Sequence, residues 1–290
     1  TIVSIATTLP ELLVSTIATH QQYYDVAIGN VVGSLICNIG FILGITAIFA
    51  PIKVKTVEFS IKGLFMLASG VILLFLAKDT IITPREGNVL LIILLVYIIM
   101  NIFEFKNKGY GNDKVHSLPV DFNSINTRQI GIKFILGAIM IVVGARLLVD
   151  NGVIIAELMG VPDQIIGVTL IALGTSLPEL ITAITSMIKG HGELSVGNIL
   201  GANILDMLMV LGICSKIGNQ GIVISYQNIM LGATIYNVPQ TLYLDLPIAL
   251  LLMIIIVVGG TIRGSISRLM GLSVLGVYLL YLGILAKLFI

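Results

Sequence analysis

Two short runs place a carboxylate directly after a proline and behind a pair of hydroxyls: Thr7-Thr8-Leu9-Pro10-Glu11 and Thr175-Ser176-Leu177-Pro178-Glu179. Both lie in otherwise apolar stretches. A proline inside a helix removes one backbone hydrogen bond and crowds the carbonyl four residues earlier. Pro10 therefore loosens the backbone near Ala6 and Thr7, and Pro178 near Gly174 and Thr175. Within apolar surroundings a freed carbonyl needs a new partner, and a cation is one. Thr7 precedes Glu11 by four residues and Thr175 precedes Glu179 by four, so each hydroxyl shares a helical face with its carboxylate. Hard oxygens of mixed charge, six to eight per ion, are what calcium requires, and two facing glutamates would balance its double charge.

The two runs belong to a longer repeat. Residues 2–48 align with 170–216 without a gap, and twelve of those forty-seven pairs are identical. The shared positions include Gly29-Asn30 and Gly197-Asn198, Gly33 and Gly201, and Leu43-Gly44-Ile45 and Leu211-Gly212-Ile213. Gly29, Gly33, Gly40 and Gly44 fall on a narrow arc, largely repeated by Gly197, Gly201 and Gly212, and such small stripes let backbones approach in lipid. Alone they would signify packing and no more. Beside the stripe runs a polar row, Asn30, Ser34 and Asn38 in one copy and Asn198, Ala202 and Asp206 in the other. The row is unsymmetrical, because Asp206 stands opposite Asn38.

The elements that carry these residues are membrane helices. Of 290 residues 57% are hydrophobic and 11% charged, and the mean hydropathy is +1.08. Nine apolar runs of spanning length, near twenty residues, occupy 1–19, 26–52, 59–77, 87–105, 130–156, 164–188, 194–216, 246–262 and 267–290. An acid at the centre of such a helix costs about 2.5–3.5 kcal/mol to insert, so Glu11, Glu179 and Asp206 mark a site rather than caps or surface charges. The net charge of +1 indicates no nucleic-acid partner. The bilayer is the expected partner, no obligatory protein partner is indicated, and a monomer is the simplest reading. Cys37 and Cys214 fall at unmatched repeat positions and read as lipid- or core-facing thiols rather than a bonded or metal-holding pair.

Residues 130–156 precede the second copy and nothing corresponding precedes the first, so a tenth span is expected ahead of Thr1. The expected class is an all-α integral membrane protein of two five-helix repeats, nine helices being visible. Residues 1–105 form the first repeat without its first helix, 106–128 a connector and 129–290 the second repeat. Five is odd, so the two repeats run in opposite senses across the bilayer. With 106–128 on the cytoplasmic side, eleven of the sixteen basic residues fall on that side, as the positive-inside rule requires. The half-polar stretch 218–243 reads as a connector on the other side.

At the two proline-glutamate runs and their Gly-Asn-x-x-Gly partners the chain resembles the calcium/cation antiporter superfamily, and within it the prokaryotic sodium/calcium exchangers. The resemblance covers nearly the whole chain. It implies ten helices in a cell membrane, no enzymatic activity, and Ca2+ and Na+ as transported substrates with no organic cofactor. The ligand set it implies is Thr7, Thr8, Glu11, Ser34 and Asn38 with Thr175, Ser176, Glu179 and Asp206, together with the carbonyls of Ser4 and Ala172 for sodium. Ala202 departs from the serine usual opposite Ser34. The absent first helix and residues 130–156 would be the pair that slides to switch access. Sodium-driven calcium antiport is the leading expectation; Ca2+/H+ antiport is the alternative, and K+ dependence is open.

Overall fold

The computed structural model describes residues 2–107, 127–231 and 234–289. The connector expected at 106–128 lies, apart from its ends, outside them. The chain opens with two short helices, α1 (Ile2–Thr7) and α2 (Leu9–His20), which divide at Thr8 because Pro10 belongs to the first turn of α2 and suits a helix start. Next come α3 (Tyr24–Phe49), α4 (Thr56–Leu76) and α5 (Pro84–Asn107). The second half holds α6 (Thr127–Met159), α7 (Asp163–Thr175), α8 (Leu177–Ile188), α9 (Gly192–Ile217), α10 (Thr241–Arg263) and α11 (Arg268–Phe289).

Six of these, α3, α4, α5, α9, α10 and α11, are long and apolar enough to cross a membrane, and α7 with α8 makes a seventh if that pair, bent by 42°, is one span. The other two expected spans coincide with the divided α1–α2 and with α6. The most buried spans are α3 and α9, which carry the glycine stripes. Around them α4, α5 and α11 turn Phe75, Ile92, Phe103 and Leu280 outward, and exposed apolar faces of that extent suit lipid.

The stripes do what small residues permit. A Cβ on Gly29 would stand 2.9 Å from the Gln164 carbonyl oxygen, and one on Gly33 2.6 Å from Ala172 Cβ, so α3 and α7 meet backbone to backbone. A Cβ on Gly40 would reach Tyr278 Cβ on α11 at 2.7 Å, and one on Gly212 would reach Leu91 Cγ on α5 at 2.9 Å. Gly197 differs, since nothing lies within 4 Å of where its Cβ would be.

Among the described residues six short strands add to the expected helices. The first, β1 (Ile52–Lys53), follows α3 and pairs antiparallel with β6 (Ser265–Ile266), which follows α10. After α4 comes β2 (Ile81–Ile82), paired antiparallel with β3 (Ile222–Val223) after α9. Backbone groups that leave a helix must find partners elsewhere, and these loops find them in one another. The stretch 218–243 continues as the hairpin β4 (Gln227–Leu231) and β5 (Thr234–Val238) before α10 begins. Lys55 meets Glu193 at 3.8 Å beside the β1–β6 pair. Ser225 N–H donates to Asp25 Oδ1 at 3.1 Å beside the β2–β3 pair.

Candidate cation site

Both motif helices break where the prolines require it. Thr8 N–H donates to the Ser4 carbonyl at 2.9 Å and Ser176 N–H to that of Ala172 at 3.0 Å, after which the chain restarts as α2 and α8. Pro10 and Pro178 have no N–H to offer, so the carbonyls of Ala6 and Gly174 lose their helical donor. Leu9-Pro10-Glu11 and Leu177-Pro178-Glu179 thus set each glutamate in the first turn of a new helix, deep inside the protein.

The matching partners widen at the same depth. Within α3 the segment Cys37–Leu43 is a π-helix, and within α9 so is Asp206–Val210. Asn38 and Asp206, the ends of the two polar rows, stand in these wider turns, a backbone device that recurs at functional sites.

Every expected side-chain ligand is buried: none of Thr7, Thr8, Glu11, Ser34, Asn38, Thr175, Ser176, Glu179 and Asp206 is more than 8% exposed. Thr8 Oγ1, Glu11 Oε2, Ser34 Oγ, Asn38 Oδ1 and both carboxylate oxygens of Glu179 and of Asp206 have no hydrogen-bond partner. The Ser176 hydroxyl donates weakly to Glu11 Oε1 at 3.5 Å. Thr175 faces Glu11 and Thr7 faces Glu179, each motif's threonine addressing the other motif's acid. Glu11, Glu179 and Asp206 are near enough to repel one another, and none has an ion-pair partner among the described residues. Among those residues no three His, Cys, Asp or Glu side chains converge tightly enough to hold a metal unaided. A cation between the motifs must therefore draw on hydroxyl, amide and carbonyl oxygens as well.

The expected ligands stand differently from one another. The Ser4 and Ala172 carbonyls, besides their helical bonds, accept the hydroxyls of Thr7 at 3.3 Å and Thr175 at 3.2 Å. Ala202, buried, offers no hydroxyl opposite Ser34. Other residues hold the set in place. Asn30 Nδ2 donates to Ser15 Oγ at 2.9 Å and to the Glu11 carbonyl at 3.4 Å, while its Oδ1 accepts Thr175 Oγ1 at 3.0 Å. Asn203 Oδ1 accepts Asn38 Nδ2 at 2.9 Å, which turns Asn38 Oδ1 free. Ser15, Asn203 and Cys37, whose thiol lies against Ser176, were not expected at the site. Ser15 was legible, four residues beyond Glu11 on the same face. Asn203 was hidden by the repeat, since its counterpart is Leu35.

Comparison with known proteins places the chain in a family. A model of the family described as sodium/calcium exchanger protein matches residues 1–103 and 131–287. The chain is 36% identical over 217 residues to a protein described as putative antiporter CaxA, of Alkalimonas amylolytica, covering 73% of this chain and 67% of that one. It is 30% identical over 251 residues to sodium/calcium exchanger MaX1 of Methanosarcina acetivorans, with 73% and 71% covered. Its fold resembles that of the sodium-calcium exchanger NCX_Mj soaked with 2.5 mM Na+ and 10 mM Sr2+: the TM-score is 0.68 at 28% identity, over 98% of this chain and 84% of the other. A bundle of apolar helices enclosing unpaired carboxylates, matched along nearly its whole length, is thus a membrane antiporter of the sodium/calcium exchanger protein family, within the calcium/cation antiporter superfamily.

Proposed function

We propose that the protein exchanges Ca2+ for Na+ across a prokaryotic cell membrane by alternating access, with both ions using oxygens between the two proline-glutamate motifs. The observation that carries this reading is the cluster of buried oxygens without partners on Thr8, Glu11, Ser34, Asn38, Glu179 and Asp206. An unsatisfied buried polar group costs about 1–3 kcal/mol, more when charged. A cluster of this size costs as much as the roughly 5–15 kcal/mol of net stability a protein has, and cation binding offsets it. Calcium sits between Glu11 and Glu179, which balance its charge. Sodium ions use overlapping oxygens on Thr7, Thr8, Ser34, Thr175, Ser176 and Asp206, with the Ser4 and Ala172 carbonyls released from their threonines. Because the two occupancies share ligands, one excludes the other, and that exclusion couples the fluxes.

The two halves are inverted repeats, 1–105 and 129–290, joined by a cytoplasmic connector, 106–128. The strand pairs support this. The loop after α3 pairs with the loop after α10, and their repeat counterparts, the loops after α9 and α4, pair with each other. A two-fold axis in the membrane plane generates that exchange of partners. The test is calcium uptake by vesicles containing the full-length protein under an outward sodium gradient, with pH and potassium varied separately. Uptake that follows a pH gradient and ignores sodium would make Ca2+/H+ antiport the correct reading.

A further inference from the structure

A second buried carboxylate centre lies outside the motif site. Asp245, in the π-helical first turn of α10 (Thr241–Asp245), is wholly buried and has no ion-pair partner among the described residues. Tyr281 of α11 donates its hydroxyl to Asp245 Oδ1 at 2.8 Å. Gln240 Nε2 reaches Oδ1 at 3.1 Å, and Gln164 Nε2, from the first turn of α7, reaches Oδ2 at 2.8 Å and Thr241 Oγ1 at 2.6 Å. Gln164, Gln240, Thr241 and Tyr281 are themselves at most 1% exposed.

The cage is unbalanced in two ways. Its carboxylate charge is compensated by dipoles alone, which is costly in a membrane interior. Both glutamine amides turn nitrogen toward Asp245 and leave Gln164 Oε1 and Gln240 Oε1 buried without a partner. Oxygen and nitrogen occupy equivalent places in a planar amide, so a half-turn of each amide, with no backbone movement, turns both oxygens inward. The centre then presents six oxygens: two from Asp245, and one each from Thr241, Tyr281, Gln164 and Gln240. Oxygen is the ligand hard cations take. The single negative charge selects a monovalent ion, because a divalent one would leave a net positive charge buried.

We propose that Gln164, Gln240, Thr241, Asp245 and Tyr281 form a second cation site, for Na+ or K+, separate from the site between the proline-glutamate motifs. The ion ties the start of α7, which leads into the second motif, to α10 and α11.

The test is thermal unfolding of the full-length detergent-solubilised protein in NaCl, KCl or choline chloride at equal ionic strength and two pH values. The Glu11→Gln/Glu179→Gln/Asp206→Asn triple variant serves as background, so that the outcome does not depend on the proposed calcium and sodium oxygens between the proline-glutamate motifs. In this background NaCl or KCl raises the unfolding temperature above that in choline, and the salt concentration for half the effect identifies the preferred ion. Adding Asp245→Asn abolishes the shift, and adding Tyr281→Phe raises the half-effect concentration about tenfold, the equivalent of about 1.4 kcal/mol. The Tyr281→Phe arm decides the matter if Asp245→Asn does not fold. A background with no sodium- or potassium-specific shift, a shift that survives Asp245→Asn or is unmoved by Tyr281→Phe, or stabilisation that follows pH alone would overturn the proposal.

Discussion

Glu11 and Glu179 sit where a proline has opened the helix, and Glu179 has no hydrogen-bond partner for either carboxylate oxygen. Glutamine keeps the shape of glutamate and removes the charge, so Glu179→Gln should fold, unfold in calcium-free buffer at or above the wild-type temperature, and lose at least ~100-fold in calcium affinity, a change of roughly 2.8 kcal/mol. Titration calorimetry checks the affinity. Asp206 has a different role. Two glutamates already balance calcium, so Asp206→Asn should retain substantial sodium-driven exchange; complete loss of flux in a folded variant would show that its charge is indispensable. At this scale much of the site was legible in the sequence, because a carboxylate in an apolar run is costly to insert and a proline beside it frees backbone oxygens at the same depth. Asn203 and the Asp245 cage were not. The repeat counterpart of Asn203 is the apolar Leu35, and Asp245 stands just past a half-polar stretch and meets Gln164 and Tyr281 only in the folded chain.

Glycines that are equivalent in the repeat are unequal in the packing. Gly29 faces the backbone of α7, whereas the space beside Gly197 is open. Gly29→Ala should therefore destabilise by about 1–3 kcal/mol, as overpacking does. Gly197→Ala should be neutral or stabilise by up to about 1 kcal/mol, the helix propensity of alanine over glycine. Thermal unfolding of the two variants side by side decides this, and equal effects would show that the asymmetry is wrong. The stripe itself was readable, since period and residue size suffice for that. Its different neighbours were not, because they come from a helix more than a hundred residues away. Nor were the π-helical turns at Asn38 and Asp206, or the strand pairs, whose backbone bonds depend on which loops meet.

Over the whole molecule, the loops that the charge count assigns to one side also meet one another. Ile52 is paired with Ile266, and Lys55 with Glu193. The opposite group, Ile81 with Val223, meets separately. Cysteines placed at Lys55 and Lys78, in a background without Cys37 and Cys214, should react with a membrane-impermeant thiol reagent from opposite faces of intact cells and inverted vesicles. Labelling of both from one face would refute the inverted arrangement. The most direct measurement of the central claim is calcium flux into vesicles holding full-length protein. Under an outward sodium gradient, calcium should accumulate above its external concentration, collapse when the gradient is dissipated, and be lost in Glu179→Gln. Accumulation that persists without a sodium gradient, or in that variant, would contradict the account.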